Sequence, residues 1–293
     1  MKKLMLGNEA VARGAYEANC GVASAYPGTP STEITHYIAK YDNIYSEWAP
    51  NEKVALETAV GASIAGARAM ASMKHVGLNV AADPLFTASY TGVNGGLVIC
   101  VADDPGMHSS QNEQDSRHFA KASKVTMLEP SDSNECKEFM KHAFAISEQF
   151  DTPVVVRLST RVSHSRGAVE IEEPEIPVLR KYIQDAGKYV MMPAMARKRH
   201  VIVEERQLKI AEYAETCALN RIEYFSKKIG FICAGTAYNY AREAFGNDAS
   251  YLKLDVVYPL PDKLIREFAK NVDRLIVAEE LDPFMEDHCR KLG

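Results

Sequence analysis

Over roughly the first 165 positions, short apolar runs alternate with stretches of helical spacing, the pattern expected of parallel βαβ units. A helix pattern over 8–19 stops at Gly21, and a strand over 22–26 leads into the turn Pro27-Gly28-Thr29-Pro30. Pro30 suits the first turn of a second helix, with Glu33 well placed against its dipole. Next come a predicted strand over 44–48 and an Ala/Gly-rich helix over 54–72. Further strands are predicted over 76–80, 97–102, 125–128 and 154–158, with a helix from Ser131-Asp132 to Phe150 between the last two. About six strands make a full sheet.

The pattern then changes. Residues 170–177 are acidic and broken by proline, and read as a connector. Residues 193–228 are helical in pattern and rich in both charges. The basic opening Arg197-Lys198-Arg199-His200 either meets a phosphate-bearing ligand or forms a solvated helix face; Glu204-Glu205, close behind, favour the solvated face. A second α/β unit comes after it, with strands over 229–234, 252–257 and 275–278 and helices over 236–245, 262–270 and 283–292. With three strands it reads as a truncated domain.

The chain has 293 residues, enough for about two domains at roughly 150 each. With 46% apolar and 25% charged residues it can bury a core without staples. A net charge of −5 provides no basic face for nucleic acid. The longest apolar runs, such as 97–102, fall far short of the ~18 residues that span a bilayer. The start Met1-Lys2-Lys3-Leu4-Met5-Leu6 turns polar at Asn8, which predicts no signal peptide. Cys20, Cys100, Cys136, Cys217, Cys233 and Cys289 form no C-x-x-C pair, so neither a zinc ribbon nor an iron–sulfur cluster is encoded. Free thiols in a reducing cytoplasm are the expectation.

Open parallel sheets bind ligands beyond the carboxyl ends of their strands. After Tyr26, the hydroxyls of Thr29, Ser31 and Thr32 stand beside a helix start, where they either hold an anion or serve as ordinary caps. After Trp48 comes Glu52, leading a helix of small residues. Its carboxylate either complements the helix dipole or is poised for proton transfer. The segment from Asp103 to Asp115 is long, polar and loop-like. Neither phosphate-loop motif nor H-E-x-x-H occurs. His108 and His118 are candidate metal ligands, and solvated polar side chains are the simpler reading.

Six ordered blocks carry a resemblance: Gly7-Asn-Glu-Ala10, Tyr26-Pro-Gly-Thr-Pro-Ser-Thr-Glu33, Asn51-Glu-Lys-Val-Ala-Leu-Glu57, Met73-Lys-His-Val-Gly-Leu-Asn-Val-Ala-Ala-Asp-Pro84, Val101-Ala-Asp-Asp-Pro-Gly-Met-His-Ser-Ser-Gln-Asn-Glu-Gln-Asp115 and Leu128-Glu-Pro-Ser-Asp132. Tyr258-Pro-Leu-Pro261 and Glu279-Glu-Leu-Asp-Pro283 add to them. Together they resemble α subunits of indolepyruvate:ferredoxin oxidoreductases, within the thiamine-diphosphate-dependent 2-oxoacid:ferredoxin oxidoreductases. The resemblance implies an α/β fold: a parallel-sheet pyrimidine-binding domain over 1–168, a connector over 169–194, and a transketolase C-terminal-like domain over 195–293, truncated.

It further implies oxidative decarboxylation of aryl pyruvates with coenzyme A to aryl-acetyl-CoA, carbon dioxide and reduced ferredoxin. The acid could instead be phenylpyruvate, pyruvate or 2-oxoglutarate, and a non-catalytic docking module is the reading from another class. By resemblance, Glu52 is the glutamate that shares a proton with the aminopyrimidine ring, favouring the imino tautomer that removes the thiazolium proton. Ala82 and Asp83 line the pyrimidine pocket. Thr29 faces the substrate carboxylate or keto group unless it only caps. His108, Gln111 and Arg117 contact substrate or coenzyme A. Mg²⁺ and [4Fe-4S] clusters belong to segments absent from this chain, so it is expected to be inactive alone, as a truncated chain or a split subunit. The implied partners are a β subunit, ferredoxin and a second copy or other subunits.

Overall fold

In the computed structural model, residues 1–176 and 179–293 are described, and they form three sheets. Pro177 and Val178 of the expected connector lie outside the described residues. The order is β1 (Lys2–Leu6), α1 (Gly7–Glu17), β2 (Val22–Ala25), α2 (Thr32–Ile38), β3 (Tyr45–Trp48), α3 (Glu52–Ala65), β4 (Ala69–Lys74), α4 (His75–Val80), α5 (Ala82–Thr91) and β5 (Leu97–Asp103). It continues with α6 (Arg117–Ser123), β6 (Thr126–Leu128), α7 (Ser133–Phe150), β7 (Val154–Ser159), α8 (Thr160–His164), β8 (Arg166–Glu170) and α9 (Ala186–Tyr189). Then come α10 (Pro193–Thr216), β9 (Arg221–Glu223), β10 (Gly230–Cys233), α11 (Gly235–Phe245), β11 (Ser250–Lys253), β12 (Val256–Tyr258), α12 (Asp262–Lys270), β13 (Leu275–Ala278) and α13 (Phe284–Leu292).

The main sheet runs β12-β6-β7-β5-β4-β2-β3, parallel except for β12. Its central strands read as near-continuous apolar runs because helices cover both faces. Along β5, Val98, Cys100 and Ala102 enter one core with Val11, Ile34 and Phe144. Leu97, Ile99 and Val101 enter the other, with Leu56, Leu85, Ile232 and Phe268. That second core joins the two α/β units into one apolar layer. The smaller sheet runs β13-β10-β11-β9, and β1 pairs with β8 in a two-stranded ribbon. No described helix is long and apolar enough to cross a membrane.

Four expectations need correction. The predicted helix over 54–72 ends at Ala65, where Gly66 takes a left-handed conformation (φ 109°) and donates to the Ala62 and Ser63 carbonyls. The next element is β4, buried at all six positions and paired with β2 and β5. Ala, Met and Ser give it little intrinsic strand preference; pairing and burial decide. The predicted strand over 76–80 is accordingly α4. The predicted strand over 252–257 divides: β11 stays in the small sheet, and β12 crosses to the main sheet, antiparallel to β6. The small sheet has four strands instead of three, because β9 adds antiparallel to β11.

The basic opening of α10 is not a wholly solvated face. Arg197, Lys198 and His200 are exposed, but Arg199 is buried and donates to the Tyr90 carbonyl at 2.6 Å. Arg206, further along the same helix, donates to the Ser89 carbonyl at 2.6 Å and the Asp151 carbonyl at 2.7 Å. The two guanidiniums thus satisfy the last carbonyls of α5, which have no partner within their own helix. Burial lowers Arg206 to about 10.

Candidate active site

The carboxyl ends of β2, β3 and β4 gather most of the candidate residues. Glu52 is the first residue of α3, whose N-cap Asn51 accepts from the Val54 N–H at 3.0 Å. Since Asn51 does the capping, the Glu52 side chain is not needed for it. Glu52 is 8% exposed, yet none of the described residues donates a hydrogen bond to its carboxyl. It lies against Gly77 of α4: a Cβ on Gly77 would fall 2.6 Å from both Glu52 Cγ and Oε1. Only glycine leaves room for the carboxyl there.

Thr29 is exposed, and its hydroxyl has no partner among the described residues. The capping in its turn falls to neighbours. Thr32 Oγ1 accepts from the Gly28 N–H at 2.9 Å, and Ser31 Oγ donates to the Gly28 carbonyl at 2.8 Å. Asn8 Nδ2 donates to the Pro30 carbonyl at 2.7 Å and to Glu33 at 3.0 Å. Ala82, the first residue of α5, is half-buried. Asp83 is exposed and pairs at 2.8 Å with Lys53, the residue after Glu52. His108 and Gln111 are exposed on the loop between β5 and α6. Asp104 shapes that loop, accepting from the Ser109 N–H and Ser110 hydroxyl at 2.8 Å and the Thr160 hydroxyl at 2.7 Å. Burial pushes the Asp104 carboxyl up, but these bonds outweigh it and hold the group below its usual value.

Arg117 is placed elsewhere. Its side chain is 1% exposed and bonds Asp115, Glu279 and the carbonyls of Glu280 and Asp282. The expected substrate contact therefore becomes an internal tie between the main sheet and the segment after β13. Beside it, Arg157 pairs with Asp103 and Glu129, each at 2.7 Å. Burial drives Asp103 above its ordinary value despite Arg157, whereas Arg157 and Arg117 overcome burial at Asp115 and keep it low. Asp115, His118 and Asp282 lie close enough to hold a metal ion. Asp115 is already committed to arginine, however, and His118 bonds Asp282 at 2.9 Å. The cysteines are dispersed free thiols; Cys20, Cys100, Cys136 and Cys233 are buried. Burial pushes Cys20 and Cys233 up to about 12, leaving them unreactive.

Sequence reasoning missed Gly77, Lys74 and His75. All three lie in the block Met73-Lys-His-Val-Gly-Leu-Asn79, but the strand assigned to 76–80 hid the helix start that brings them to the site.

Residues 13–225 match the family described as pyruvate flavodoxin/ferredoxin oxidoreductase, thiamine diP-bdg. Indolepyruvate oxidoreductase subunit IorA of Archaeoglobus fulgidus is 46% identical, over 100% of this chain and 49% of its own length. The 2-oxoglutarate synthase subunit KorA of the same organism is 26% identical, over 94% of this chain and 87% of its own. This chain thus spans about half the length of the indolepyruvate oxidoreductase subunit it matches. The solved 2-oxoglutarate:ferredoxin oxidoreductase of Magnetococcus marinus shares the fold, with a TM-score of 0.82 at 17% identity, covering 100% of this chain and 60% of that one. With the family match spanning most of the chain and the α/β fold agreeing, the protein belongs to the thiamine-diphosphate-binding part of the pyruvate flavodoxin/ferredoxin oxidoreductase family.

Proposed function

We propose that this chain is the pyrimidine-binding portion of an indolepyruvate:ferredoxin oxidoreductase α subunit, with residues 1–168 as the pyrimidine domain and 195–293 as a transketolase C-terminal-like domain. The reaction converts an aryl pyruvate and coenzyme A into aryl-acetyl-CoA and carbon dioxide, and passes two electrons to ferredoxin. The higher identity to the indolepyruvate subunit than to the 2-oxoglutarate subunit favours aryl pyruvates over other 2-oxoacids.

The observation that carries this reading is Glu52, 8% exposed beside Gly77, whose carboxyl accepts no hydrogen bond from the described residues. With no donor among the described residues and its oxygens not sealed from solvent, the carboxyl keeps both oxygens free for a donor or shared proton from outside the chain. An aminopyrimidine ring nitrogen presents that chemistry, so the residues fit thiamine diphosphate. When bound, the cofactor supplies a carbon nucleophile and an electron sink for decarboxylation. Glu52 Oε1 or Oε2 holds a proton against the ring nitrogen and moves it as the nucleophile is uncovered. Ala82 and Asp83, at the start of α5, line the ring's pocket. The free hydroxyl of Thr29 donates to the substrate carboxylate or keto oxygen, and His108 and Gln111 reach substrate or coenzyme A from the loop. Arg117 is left out, because its partners are internal.

Mg²⁺ and the [4Fe-4S] clusters are assigned to segments outside this chain. The β subunit, ferredoxin and a second copy are the proposed partners, and the cytoplasm is the proposed compartment. The test is ferredoxin reduction by the complex of full-length subunits, given indolepyruvate, phenylpyruvate, pyruvate or 2-oxoglutarate with coenzyme A. Glu52→Gln is expected to cut turnover with indolepyruvate by about a hundredfold or more. Full turnover in Glu52→Ala would remove the carboxyl's role. No turnover with any 2-oxoacid in the wild type would leave a docking module.

A further inference from the structure

One corner of the fold meets the Thr29 turn, Glu52 and the loop between β5 and α6. Where β4 passes into α4, Lys74 and His75 are both buried (9% and 1% exposed) and both reach across to the loop between β5 and α6. Lys74 Nζ donates to the Ser109 carbonyl at 2.9 Å. His75 Nε2 lies 3.0 Å from the Asn112 carbonyl. A carbonyl only accepts, so Nε2 carries the hydrogen. His75 Nδ1 is buried with no partner, which leaves the bond to the loop as the imidazole's one hydrogen bond through its ring. Asn79, one turn along α4, donates to Gln114. The Lys74 stem packs against the turn that carries Thr29: a Cβ on Gly28 would lie 3.0 Å from Lys74 Cδ. Two residues past His75, Gly77 lies against Glu52.

We infer that Lys74 and His75 form a clamp that positions the 104–115 loop relative to the Glu52 carboxyl, with His75 a positioning residue for substrate binding. Its role in substrate binding rests on the function proposed above. The clamp grips backbone carbonyls, so it sets the loop's path without using the loop's side chains. Ser109 is held through both of its backbone groups, its N–H by Asp104 and its carbonyl by Lys74. Gln111 lies between the two gripped carbonyls and His108 just before them, and both stay exposed and free to meet a ligand. A fixed path with free side chains spares a ligand part of the cost of ordering the loop.

The test uses the complex of full-length subunits and two readouts. The first is amide hydrogen exchange across 105–114 without cofactor or substrate. His75→Phe, which keeps a ring but cannot donate, is expected to speed exchange there by about tenfold or more. His75→Gln, whose amide can donate to the Asn112 carbonyl, is expected to restore protection. Should His75→Phe fail to fold, Lys74→Met removes the other grip and is read in the same way. The second readout is steady-state kinetics. His75→Phe is expected to raise KM for the 2-oxoacid by about tenfold with kcat within about threefold, as loss of binding shared by ground and transition states requires. Unchanged exchange in both His75→Phe and Lys74→Met overturns the clamp, as does a fall in kcat at constant KM. The exchange arm needs no turnover. Faster exchange in variants of a complex whose wild type oxidises no 2-oxoacid would therefore sink the proposed reaction and leave the clamp standing.

Discussion

At the carboxyl ends of β5, β6 and β7, buried carboxylates face buried guanidiniums: Asp103 and Glu129 meet Arg157, and Asp115 and Glu279 meet Arg117. At the ends of β2, β3 and β4, Glu52 and Thr29 find no partner within the described chain. The same edge of one sheet is therefore closed by ion pairs on one side and left chemically open on the other. Buried charge persists only when paired, so the closed half serves the fold. The open half keeps its bonding capacity for something the chain does not supply. Sheet position alone does not separate the halves, because Arg117 and Glu52 both follow strands at the same edge. The count of internal partners does.

The sharpest way to break this contrast is to unpair the closed half. Arg157→Leu strands Asp103 and Glu129 and is expected to cost about 3–5 kcal/mol, measured by denaturant unfolding. A loss below about 1 kcal/mol would mean that the ion pairs are not what holds this edge together. Glu52→Gln probes the open half. Its turnover loss should come with less than about 1 kcal/mol of change in stability, since only the helix dipole is affected. A large stability loss there would place Glu52 among the structural carboxylates. Gly77→Ala keeps the carboxyl but displaces it; it is expected to cost about 1 kcal/mol and lower turnover with Glu52 intact. If turnover stayed at the wild-type level, the close approach of Gly77 would be irrelevant to the site.

A separate prediction concerns pH. Asp255, beside the junction of β12 with β6, is buried with Lys253 at 2.6 Å. Burial pushes its carboxyl from 3.8 up to about 7, with Glu135 adding to the rise and Lys253 opposing it. The folded state then binds the proton more tightly than the unfolded one. This contribution to stability is full below about pH 4 and is lost as pH rises through 7. Asp255→Asn should flatten that part of the curve in unfolding experiments between pH 5 and 7.5. An unaltered slope would show that Asp255 titrates normally.

The helical and parallel-strand periods made the α/β class legible, and the helix at 262–270 and the strand at 275–278 have the expected bounds. The place of Glu52 at the start of a helix was legible because a carboxylate leading a run of small residues is a local feature. The strand at Ala69–Lys74 was not, because its Ala/Met/Ser composition continues that of the helix before it. Its one local marker was Gly66, which reads as one more small residue until its left-handed conformation is seen. The mistake carried forward, since a strand at 76–80 cannot present His75 and Gly77 as a helix start. Arg117 was illegible for another reason: its partner Glu279 lies 162 residues further along the chain, and no local pattern encodes that meeting.

The crossing of β12 into the main sheet means that the units cannot be separated at the boundary their order along the chain suggests. A fragment ending at residue 168 would lack the strand that covers the free side of β6. The bare backbone of Thr126–Leu128 would then offer an open edge to any other extended chain. Physically, the main sheet is finished only after Tyr258 has been synthesised, so on the ribosome its last strand waits for most of the second unit to emerge.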